Sequence, residues 1–165
     1  MDIYASKGWQ DTGYKPGLQK NAGSWVIVRA EGEWNVNTKD PAFGRRDANG
    51  RTPNSGATYM LSTENDKNIN WPYTGPRGFC GQLIGKLGSN GEPFVVGDWC
   101  KISTSLADPS DSLWLAPNDA NCTDNEGSLQ VTFKVSNLED RNIAQEKESR
   151  IASYEKWSGK TYNPG

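Results

Sequence analysis

Between residues 118 and 126 the chain places Asn118, Asp119, Asn121, Thr123, Asp124, Asn125 and Glu126, seven oxygen-bearing side chains in nine positions. Apolar runs flank them, SLWLA (112–116) before and GSLQVTFKV (127–135) after. Carboxylate, amide and hydroxyl oxygens are hard donors, and calcium takes roughly six to eight of them at about 2.3–2.6 Å, some from backbone carbonyls. Carboxylates crowded into so short a loop repel one another unless a cation lies between them. The spacing is not that of an EF-hand, whose loop needs a glycine at its middle and a glutamate at its end. Cys122 is too soft a ligand for calcium and reads as a bystander. The same residues also have a plainer reading, as Asn and Asp side chains that hydrogen-bond their own backbone between two strands. Residue type alone leaves both open.

The rest of the composition narrows the chemistry. The chain of 165 residues has no histidine, which excludes Ser-His-Asp and Cys-His catalysis and histidine-ligated zinc. No pair of carboxylates stands in an apolar setting of the kind that lifts one pKa for glycoside hydrolysis, so a non-enzymatic protein is expected. A net charge of -2, from 18 basic and 20 acidic residues intermixed, gives no footprint for nucleic acid or an anionic membrane. No apolar run approaches the roughly 18 residues of a membrane span, and Met1 to Gln10 lacks the pattern of a signal peptide. Cys80, Cys100 and Cys122 form no C-x-x-C pair, and a Cys100–Cys122 bridge stays open. Asn121-Cys122-Thr123 is formally a glycosylation acceptor, but a glycan there would obstruct the cation site.

The elements that must position this loop are short strands bounded by turn residues. SWVIVRAEGEW (24–34), GQLIGKL (81–87), PFVVG (93–97), DWCKISTSL (98–106), SLWLA and GSLQVTFKV follow one another at nearly regular spacing. In the last run Leu129, Val131, Phe133 and Val135 fall on one face and Gln130, Thr132 and Lys134 on the other, as in a strand with one face in a core. The pattern predicts an all-β, antiparallel β-sandwich over residues 1–136. Ser89-Asn90-Gly91 is expected to supply the positive φ angles of a hairpin turn. Residues 37–78 read as a long loop in which Arg45, Arg46 and Asp47 form a solvated face and Tyr59 and Trp71 either bind a ligand or pack the loop. Trp25, Trp34, Trp99 and Trp114 read as structural. From 137 to 165 the strand period stops. Ser136 and Glu139 suggest a capping box, and Ile143, Ile151, Tyr154 and Trp157 share one face of a C-terminal α-helix that would dock on its own sandwich or on a neighbour.

The runs VIVRAEGEW, GFCGQLIGKLGSNGEPFVVG and SLWLAPNDANCTDNEGSLQVTFKV resemble the bacterial calcium-dependent galactose-binding lectins of the PA-IL type. The likeness covers most of residues 1–135, and its most specific parts are the FCG-x-L-x-x-K-x-G hairpin and the ND-then-DN-x-G-S loop. It implies a jelly-roll, galactose-binding-like sandwich and a bound Ca2+ whose shell is completed by sugar hydroxyls. Carried onto this chain, it makes Asp119 a bidentate or bridging carboxylate and Asp124 and Asn125 the consecutive pair. The carbonyls of Asn121 and Val36 complete the set, and Thr123 is the alternative to Asn121 because the loop is two residues shorter than the family's. The family's His and Gln for the exocyclic hydroxyl are missing here. Tyr59, Asn70 and Trp71 are the residues expected to take their place.

Two functions follow as expectations: a calcium-dependent carbohydrate-binding domain, or a structural or assembly subunit that keeps the sandwich without sugar binding. The resemblance implies an extracellular or cell-surface setting, and the C-terminal segment a homo-oligomer or larger assembly.

Overall fold

The computed structural model describes residues 1–53, 59–62 and 71–137. The segment expected to form the C-terminal helix lies outside these residues, as does Asn70. Among the described residues there are ten strands: β1 (Asp2–Tyr4), β2 (Gln10–Asp11), β3 (Trp25–Glu31), β4 (Glu33–Asn35), β5 (Arg45–Asp47), β6 (Leu83–Leu87), β7 (Phe94–Val95), β8 (Trp99–Ser103), β9 (Leu113–Pro117) and β10 (Glu126–Ser136). Helical structure among the described residues is confined to two 3-10 turns, at Ala5–Lys7 and Pro16–Gln19, and one α-turn at Pro41–Gly44.

Among the described residues the protein is mostly β, and every strand pairing is antiparallel. One sheet runs β5-β4-β10-β3-β8, with β1 also paired to β10; the other runs β2-β9-β6-β7. The long β10 organises the first sheet. It pairs with β3 from Ser136↔Trp25 to Gln130↔Glu31, and the same register resumes with β4 as Gly127↔Trp34 and Glu126↔Asn35. Thus β3 and β4 are one strand interrupted at Gly32, and the interruption delivers Asn35 and Val36 to the end of the sheet beside the 118–126 loop.

The two sheets share one core. Val26, Val28, Leu129 and Val131 of the first meet Leu83, Leu113 and Leu115 of the second, with Phe133 and Val135 packed against them. This is the alternation read in GSLQVTFKV, since Gln130, Thr132 and Lys134 are exposed. Each such side chain contributes about 1.5–3 kcal/mol by leaving water. Trp34 and Trp99 are buried as expected, while Trp25 and Trp114 are half-buried and carry Lys101 and Lys86 over their rings at 4.3 and 5.6 Å.

All six expected strands are present, and three more were not legible. β1 and β2 span three and two residues, too few to show a period, and form because β10 and β9 offer them open edges. The third, β5, lies inside the 37–78 segment and overturns the reading of Arg45, Arg46 and Asp47 as a solvated face. Arg45 is exposed and pairs with Glu33 at 2.8 Å, but Arg46 is 1% exposed. Its Nε donates to the Phe43 carbonyl at 2.8 Å and its guanidinium to the Gly50 carbonyl at 2.9 Å, so backbone oxygens satisfy the buried cation. The turn after β6 also differs from expectation. Its positive φ belongs to Gly88, and neither Ser89, Asn90 nor Gly91 adopts one.

Candidate functional site

The Asn/Asp-rich loop leaves the end of β9, and its first residue ties the site together. Asn118 is fully buried. Its backbone extends the β6–β9 ladder, donating to Gln82 O at 2.7 Å and accepting from Gly81 N at 2.9 Å. Its side chain reaches the long loop: Oδ1 accepts from Tyr73 N, and Nδ2 donates to the carbonyls of Tyr73 and Phe79. Asn118 is therefore a scaffold residue, and it holds the chain that follows Trp71. The 59–62 segment is knitted to the same region. An isolated bridge joins Leu61 to Phe79, and the Ser62 hydroxyl donates to Tyr73 O.

Beyond Asn118 the loop makes successive turns. Asp119 Oδ1 accepts from Asn121 N, and Asn121 Oδ1 accepts from the amide and hydroxyl of Thr123. These are the local contacts that the plainer reading anticipates. They do not use up the oxygens. Asp119 Oδ2 accepts from Asn125 Nδ2 at 2.8 Å, and Asn125 also donates to Ala5 O. Asn125 is 6% exposed, yet its Oδ1 meets no donor among the described residues. An acceptor left buried and unpaired beside a carboxylate carries a cost that a cation would remove. Burial, reinforced by the nearby Asp124 charge, pushes the Asp119 carboxyl above its ordinary range, against the hydrogen bonds from Asn125 and Asn121.

The opposite side of the site comes from residues 36–44. Val36 N donates to Gly44 O at 2.8 Å, which closes this loop at its base, and the Thr38 hydroxyl donates to the Asp124 carbonyl at 2.8 Å, which fastens it to the oxygen-rich loop. Gly81 lies beneath. Its φ of +74° and its packing against Arg46 and Val36, where a Cβ would stand 2.7 Å from the Arg46 side chain, leave no room for another residue. Its carbonyl accepts the buried Trp34 indole N–H at 2.8 Å.

These walls enclose a cleft of about 430 Å³. Val36, Asp119, Asn121 and Asp124 line it, four of the five residues expected to ligate a cation, and Trp71 lines it with them. Asn125 does not line it and touches the lining residue Asp119 through the Nδ2–Oδ2 hydrogen bond. Tyr59 is not among the described lining residues. It packs on the Phe79 ring at 4.8 Å, and burial pushes its hydroxyl up to about 12. Phe43, Asn37 and Cys80 also line the cleft, and none of them was singled out from the sequence as a site residue. Phe43 is one of the aromatic residues of the 37–78 segment, and the turn at Pro41–Gly44 brings it to the cleft. No disulfide joins Cys100 to Cys122. Among the described residues no three His, Cys, Asp or Glu side chains group as metal ligands. A cation here would rest on two carboxylates supplemented by neutral oxygens.

Comparison of the chain with protein-family models and with curated proteins finds no significant match. The functional reading therefore rests on the residues and geometry of the cleft.

Proposed function

We propose that this protein is a non-catalytic, calcium-dependent carbohydrate-binding domain of galactose-binding-like, jelly-roll type. The observation that carries the reading is one cleft lined by Val36, Asp119, Asn121, Asp124 and Trp71, backed by the unpaired Asn125 oxygen. Two carboxylates match the charge of one divalent ion, and amide and carbonyl oxygens suit calcium's flexible shell. The Trp71 indole that lines the cleft would supply an apolar face on which a sugar ring stacks. The resemblance to the PA-IL-type lectins supports the same reading, with calcium positions left open to vicinal hydroxyls. A site with two carboxylates suits the weak calcium affinities of extracellular modules, in keeping with an extracellular or cell-surface location.

A glycan array with the protein displayed multivalently tests this. Binding is expected with calcium present, with single-site affinities on the order of tens of micromolar to millimolar. Chelator and Asp124→Ala should each abolish it. An array blank with calcium in excess would shift the reading to a structural or assembly subunit. The turn contacts of Asp119 and Asn121 favour that second reading, because they organise the loop without any ligand.

A further inference from the structure

Phe43 is brought to the cleft by a device that fixes both its backbone and its ring. The buried Arg46 donates to the Phe43 carbonyl at 2.8 Å and lays its guanidinium over the ring at 4.5 Å from the centroid. One ring face is thereby occupied, so the ring presents its other face or its edge to the cleft it lines. The loop carrying Phe43 is closed by Val36 N and Gly44 O and fastened to Asp124 through Thr38. Trp71 arrives from a separate segment, held through Tyr73 and Asn118. Two aromatic side chains thus come from two separately anchored segments to a cleft that Asp119 and Asp124 also line.

We propose that Phe43 and Trp71 form paired aromatic walls that take the ring of a neutral pyranoside between them. Phe43 is the specificity-determining wall, because its position is set by Arg46 before any ligand arrives. This inference rests on the carbohydrate reading above and deepens it. The chemistry selects a flat, partly apolar ring with vicinal hydroxyls. Asp119 and Asp124 already balance one divalent cation, so a uronate would add an uncompensated charge. A preformed wall raises affinity because no side chain has to be ordered on binding.

Saturation-transfer NMR with methyl galactopyranoside, methyl mannopyranoside and methyl galacturonate salt, at saturating calcium, provides the test. At least one neutral pyranoside should bind more tightly than the galacturonate, with Phe43→Ala weakening it about tenfold or more and Phe43→Tyr retaining it. The calcium-induced rise in melting temperature should persist in Phe43→Ala, which shows the fold and the ion site intact. Phe43→Ala binding within twofold of the parent would overturn the paired walls and leave the lectin reading standing. A parent that responds to calcium but binds no pyranoside would overturn both.

Discussion

Calcium is expected to raise the melting temperature of the parent protein by several degrees and to leave Asp119→Ala unmoved. An ion that binds only the folded state stabilises it by about 2.7 kcal/mol at a hundredfold excess over Kd. For a protein of this size that corresponds to a rise of about 5–10 °C. Asp119 is the residue to change, because it lines the cleft and its other oxygen contacts Asn125, whose own Oδ1 is unpaired. The pH dependence carries an additional sign. Without calcium the folded Asp119 carboxyl lies above the ordinary 3.8 because it is buried and faces Asp124. The folded state then holds the proton more tightly than the unfolded chain. Its contribution to stability is present below about pH 3.8 and is lost as pH rises through the raised value. Metal-free Asp119→Asn should therefore melt at or above the parent temperature near neutral pH. With calcium bound the carboxylate form is the favoured one, so ion affinity should fall as pH drops through the raised value. Differential scanning calorimetry with calcium or chelator, at several pH values, measures all three. An Asp119→Ala protein that follows the parent in calcium would remove this site.

Asn118→Ala should be the most damaging single change in the loop, although Asn118 touches no proposed ligand. The side chain is fully buried and satisfies Tyr73 N–H, Tyr73 C=O and Phe79 C=O at once. Truncation takes the Asn118 acceptor from the Tyr73 N–H, at about 1–3 kcal/mol, and removes one of two donors from each carbonyl, at about 0.5–1.5 kcal/mol apiece, since the Ser62 hydroxyl still reaches Tyr73 O and Gln82 N still reaches Phe79 O. A loss of about 3–5 kcal/mol is expected, seen as a fall of roughly 10 °C or more in melting temperature. Because the same contacts hold the chain that follows Trp71, the indole environment should change as well, and the NMR signal of the Trp71 indole N–H reports that directly. A variant less than about 1 kcal/mol below the parent, with the Trp71 signal unmoved, would show that Asn118 does not carry the loop.

Much of this architecture was written locally. The alternation of Leu129, Val131, Phe133 and Val135 is a property of adjacent residues, so β10 and its core face could be read directly. The oxygen cluster at 118–126 was likewise legible, because turn chemistry and cation chemistry call for the same residue types within a few positions. What distinguishes those two uses is not local. Asn118 and Asn125 look alike in sequence, yet one is consumed in cross-links to residues 73 and 79 and the other keeps an unpaired oxygen beside Asp119. Arg46 shows the same limit more sharply. Three polar residues in a row read as solvated surface, but Arg46 is buried because carbonyls of Phe43 and Gly50 happen to converge on it, and nothing in the chain marks those oxygens. The sequence by itself therefore determined the six longer strand runs, the core face of β10 and the donor chemistry of one loop. Only the tertiary structure decided which oxygens remain for a ligand, and that Phe43 and Trp71 border the same cleft, because hydrogen-bond partners far apart in the chain are assigned by packing.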